Sequence, residues 1–105
     1  MEPRPHPAAS LPEGLVAYKR TDLFSEKTIP AGLLRAHSTK EGVWGLIRVA
    51  AGELVYRILD ERRVPAQLRL TAASEPGIVE PNILHEVEPI GPVLFRVEFF
   101  RSADR

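Results

Sequence analysis

The chain reads as an all-β protein of the jelly-roll class, on three observations. No segment keeps helical periodicity over the roughly ten residues that a helix assignment requires. Alternation with a period of two recurs in Leu54 to Leu59, Gln67 to Leu70 and Val93 to Phe100. Ten prolines and seven glycines fall between short strand-like runs, at intervals of roughly 8–12 residues.

Residues 1–10, MEPRPHPAAS, are proline-rich and polar and read as a disordered arm, with His6 solvated within it. A single domain is expected over residues 11–105. Leu15 to Tyr18 is a first short strand, and Thr21 to Phe24 a polar bend or second edge piece. Pro30 and Gly32 punctuate the chain before another strand candidate, Leu33 to His37. Ser38 to Gly42 is a loop, and Trp44 to Ala50 a strand. Ala51-Gly52 predicts a tight turn into a return strand, Leu54 to Leu59. Asp60 to Pro65 closes that hairpin with charge. Gln67 to Leu70 alternates again, Gly77 to Val79 is brief, and Leu84 to Glu88 is extended beyond Pro81. Ile90-Gly91-Pro92 turns the chain into Val93 to Phe100, which has the strongest strand pattern of all.

Composition narrows the function classes. Basic and acidic residues number 14 each, which argues against a broad electrostatic grip on nucleic acid or an anionic membrane. The absence of cysteine removes disulfides, thiolate metal sites and thiol nucleophiles. No apolar run approaches the roughly 20 residues of a membrane span. MEPRPHPAAS has no apolar segment behind its charge, so a cytoplasmic protein is expected. No phosphate-binding glycine loop, nucleophile elbow or catalytic triad is present.

What remains is a pair of histidines. His37 lies in RAHSTKEGVWG and His85 in PNILHEVEP, each near the start of a separate strand pattern. A jelly roll sets those strands side by side, which would bring the two imidazoles to one site. Neutral imidazole is the commonest protein ligand for zinc, iron, nickel or copper. The plain alternative is two hydrogen-bonded core histidines.

AGLLRAHSTKEGVWGLIRVAAGELVYRIL, followed by PGIVEPNILHEVEPIGPVLFRVEFF, resembles the small cupin family that includes YeaR-like proteins and the domain fused to the tellurite-resistance methyltransferase TehB. The resemblance covers about Leu11 to Arg101. It implies a double-stranded β-helix, a barrel that is often dimeric, with a divalent metal proposed in its cavity. The chain departs from the general cupin pattern in its first motif. His37 stands alone, Thr39 takes the second histidine position, and Trp44-Gly45 falls where a glutamate belongs. Gly77, Pro81 and His85 keep the second motif, so two of four usual ligands remain.

A catalytic metal site needs a third protein ligand, and Glu98 is preferred over Glu88. Glu98 should lie at the height of His85 on a strand that crosses to the opposite sheet. Parity opposes it, because Val93, Phe95, Val97 and Phe99 form one apolar face and Glu98 points the other way with Arg96. That objection falls only if the apolar face is covered from outside the cavity, for instance by a second subunit of a homodimer. One feature remains: Trp44, Tyr56 and Arg48 could form an aromatic wall with one cation, and Lys40 could cover the mouth. The alternative puts both rings in the core and Arg48 on the surface. The expectation is therefore a small metal-binding cupin, zinc first and iron, nickel or manganese next, taking a small anionic molecule. A metal-free dimeric binding or sensor module for oxyanions such as tellurite is the second reading. Whether the protein is an enzyme is left open.

Overall fold

The computed structural model describes residues 4–103. Six strands form one antiparallel sheet: β1 (Leu15–Arg20), β2 (Phe24–Ser25), β3 (Trp44–Ile58), β4 (Ala66–Leu70), β5 (Gly77–Val79) and β6 (His85–Ser102). The pairing path runs β1-β6-β3-β4, with β2 added beside β6 and β5 beside β3. This bears out an all-β antiparallel fold. The sheet is open: β1 and β4 end the path and are not paired with each other. Outside the strands, the isolated bridges among the described residues are His37–His85 and Thr39–Pro81. The one described helical element is a 3-10 turn at Ala31–Leu34, which takes the first two residues of the strand expected over Leu33 to His37. Pro30-Ala31-Gly32 favours a turn over extension, and the extended conformation resumes only at Arg35.

Two long strands make the frame. β3 and β6 pair from Trp44–Phe100 to Ile58–His85, so neither predicted turn reverses the chain. Ala51-Gly52 and Ile90-Gly91-Pro92 instead form facing irregularities within continuous strands. Positive φ at Gly52 and Gly91 gives a bulge as readily as a hairpin, and the residues alone do not separate the two. Register slips between Val49 and Ala51, which leaves Ala50 unpaired and shifts the alternation of β3. Its buried positions consequently pass from Ile47 and Val49 to Leu54, Tyr56 and Ile58. β6 gains an even number of residues at its own bend and keeps odd numbers inward, from His85 and Val87 to Val93, Phe95 and Val97.

These inward faces, with Leu70, Val79 and Ile83, form the core, and Tyr56, Phe95 and Leu54 are its largest fully buried side chains. Burial of side chains this size is worth about 1.5–3 kcal/mol each. A polar clamp secures the corner where β3 leaves and β6 begins. The buried Asp60 carboxylate accepts from Arg62 N (2.9 Å), Arg62 Nε (2.8 Å) and Leu84 N (3.0 Å). The Arg62 guanidinium and those main-chain donors hold its pKa well below the usual carboxylate range. Nearby, Val64 N donates to Pro5 O at 3.0 Å and Ala8 N to Glu80 Oε2 at 3.1 Å. No helix among the described residues is long and apolar enough to cross a membrane.

Candidate functional site: a histidine pair at the end of an apolar cavity

His85 opens β6, flanked on one side by Ile58 of β3 and on the other by the segment carrying His37. His37 N donates to His85 O (3.0 Å) and His85 N to His37 O (2.9 Å). Residues directly opposite in such an antiparallel pair project to the same face. The two rings accordingly meet, with centroids 4.2 Å apart and planes at 56°.

Each ring is fixed at one nitrogen. His85 Nδ1 lies 2.9 Å from Ile83 O and His37 Nδ1 3.2 Å from Arg35 O. A carbonyl only accepts, so each Nδ1 carries a proton, and in the neutral form of either ring Nε2 keeps a lone pair. His85 is 3% exposed, and burial pushes its pKa down to about 4; the Ile83 carbonyl opposes that shift and His37 adds to it. His85 is therefore neutral at pH 7. The Tyr56 ring stands edge-on to it at 5.7 Å, while Tyr56 Oη donates to Ile78 O at 2.7 Å.

Both histidines open into a cavity of about 360 Å³. Its wall is apolar, built by Ile47, Val79, Val87, Phe95, Val97 and Phe99. Around the remaining side stand Tyr18, Lys19, Ser38, Thr39 and Lys40. The loop that carries three of them is tied down: Thr39 Oγ1 donates to Val43 O (2.8 Å), and Asn82 N donates to Thr39 O (3.2 Å). Lys19 and Lys40 are the charged side chains of the described lining, and no carboxylate shares it. Neither lysine has an ion-pair partner among the described residues.

The structure thus brings His37 and His85 together and leaves Glu98 apart. Glu98 sits outside the cavity lining and is bonded to Arg48, not to Arg96. Strand alternation decides this, and the premise that could have reversed it fails. Phe95 is fully buried, and Phe95, Val97 and Phe99 line the cavity instead of facing a second subunit. Glu88 is also turned away, paired with Arg57 at 2.5 Å. No group of three or more His, Asp or Glu side chains that could hold a metal occurs among the described residues. Tyr56 lies in the core beside His85, without reaching the lining. Trp44 is half-buried opposite Phe100 and also lies off the cavity, and Arg48 borders a separate hollow near Thr71 and Ser74. Lys19 is the residue that sequence reasoning missed. It enters through a register slip between Ala17 and Lys19 in β1, which alternation along a six-residue strand does not announce.

A TehB-like domain family matches residues 19–97, three-quarters of the chain. The crystal structure of TehB from Haemophilus influenzae is similar, with a TM-score of 0.78, 27% identity and 86% of this chain covered. The match spans 32% of that longer chain, so the present chain corresponds to about a third of it. A crystal structure of a protein from E. coli strain K12 has the same fold, with a TM-score of 0.78 at 22% identity over 90% of this chain and 98% of that one. No curated protein sequence matches the chain.

Proposed function

This chain belongs to the TehB-like domain family, and from that premise we propose that it is a small-molecule-binding domain of the cupin jelly-roll kind, whose cavity takes a small anion and a divalent metal ion. One observation carries the reading: a fixed histidine pair opens into an apolar cavity whose charged lining is two unpaired lysines. The cupin, YeaR-like side of the resemblance and its link to tellurite or other oxyanion stress belong to this same proposal.

For the metal, the donor set fits in part. Two Nε2 lone pairs, each backed by an Nδ1–H bonded to a carbonyl, form the arrangement in which histidine ligates best. No carboxylate of the described lining stands beside them, so His37 and His85 would hold the ion without one, and zinc suits such nitrogen donors first, ahead of iron, nickel or manganese. A bound ion would supply a Lewis acid next to the ligand. The residues themselves contribute orientation, a dry wall and positive charge at the mouth.

The competing reading is a metal-free binding or sensor module, favoured by the lack of a third ligand among the described residues. Metal analysis of the purified protein separates the two. Near-stoichiometric zinc or iron, lost in folded His37→Ala and His85→Ala variants, supports the metal. Protein that stays metal-free and whose melting temperature ignores all four ions removes it, because a bound ion must stabilise the native state.

A further inference from the structure

Size, wall chemistry and the placement of charge together restrict what this cavity can hold. We infer that its ligand is an amphipathic organic carboxylate, with the carboxylate at Lys19 and Lys40 and an apolar body against the wall formed by Val97 and Phe99. The inference rests on the reading of the cavity as a ligand site and specifies which anion it takes.

The volume comes first. About 360 Å³ corresponds to roughly twelve water volumes and falls at the small end of ligand pockets. An inorganic oxyanion would fill a few of those volumes and leave the rest to water against Val79, Val87, Phe95 and Val97. Such water finds no polar partner on that side. A ligand with on the order of ten non-hydrogen atoms fills the space.

The distribution of polarity comes second. Lys19 and Lys40 come from different segments, β1 and the loop that precedes β3, and both are exposed. His85 and the Val/Phe wall are buried. A fully hydrated oxyanion moved onto that wall would shed water with no replacement, whereas an anion that keeps its charge at the lysines would not. With no carboxylate in the described lining, nothing there repels a negative head group.

Calorimetric titration of the full chain with linear carboxylates from acetate to octanoate tests this, with 1-octanol, tellurite and selenite as comparisons. Affinity should climb about fourfold per added methylene until the cavity is full. Octanol should bind at least tenfold more weakly than octanoate. A Lys19→Gln/Lys40→Gln double variant, in which both exposed positions change without touching the core, should weaken octanoate at least tenfold and leave octanol nearly unchanged. Affinity independent of chain length, or tellurite or selenite binding more tightly than octanoate, would overturn the organic ligand while sparing the cavity as an anion site. Octanoate binding that ignores the double variant would overturn the placement of the carboxylate. Silence toward every anion at millimolar concentration would remove the inference and the anion-binding reading together.

Discussion

His37 and His85 come from distant parts of the chain yet exchange both of their main-chain hydrogen bonds, at 3.0 and 2.9 Å. Their rings therefore meet because the backbone is paired, before any side-chain preference acts. The carbonyls of Arg35 and Ile83 then settle which nitrogen of each ring carries the proton. Position and tautomer both come from main-chain atoms, so substitutions on the surrounding wall should alter the site's contents without moving the pair.

Acid should destabilise the protein through His85. Its folded pKa, about 4, lies below the ordinary 6.5, so the unfolded chain binds the extra proton more readily. The stability from its neutral form is present in full above pH 6.5 and is lost as pH falls through the interval from 6.5 to 4. The shift corresponds to a loss of about 3 kcal/mol across that interval. Urea unfolding at steps between pH 7 and pH 4 should show it, and a folded His85→Gln variant should have a flatter profile. Equal slopes in the two proteins would show that the imidazole is not what burial penalises.

Glu98→Gln should leave the site untouched. The carboxylate bonds Arg48, whose side chain is half-exposed, and pairs of this kind contribute about 0–1 kcal/mol. Zinc affinity and melting temperature should stay close to the parent's. A tenfold loss of zinc affinity in this variant would restore Glu98 as a ligand.

Gly52 holds the bend shared by the two long strands. A Cβ there would lie 2.1 Å from the Pro92 carbonyl oxygen, at a φ of +79°. Gly52→Ala combines a backbone clash with a left-handed conformation, and should cost more than about 2 kcal/mol, or roughly 8 °C or more in melting temperature for a domain of this size. Gly32→Ala is the control, since nothing lies within 4 Å of a Cβ built there. Thermal unfolding by circular dichroism compares them, and equal melting temperatures would mean the bend is not constrained.

Much of this was legible in the sequence because it depends on alternation. The inward run from Val93 to Phe99 and the outward placement of Glu98 both follow from a period of two along β6. What could not be read was where that period breaks. Ala50 slips the register of β3, and Gly52 and Gly91 carry turn chemistry that serves a bulge, because cross-strand pairing decides between bulge and hairpin. The same limit hid Lys19 behind the slip in β1. The histidine pair was visible as two residues in strand-like contexts. The hydrogen bonds that fix its tautomers arise from main-chain carbonyls, which no residue type betrays.

Histidine ring nitrogen NMR during a zinc titration tests the central claim most directly. At pH 7 without metal, His37 and His85 should both show the tautomer protonated at Nδ1. On addition of one equivalent of zinc, both Nε2 resonances should shift together while His6 stays unchanged. Rings protonated at Nε2, or zinc that moves His6 and leaves the pair unaltered, would contradict it.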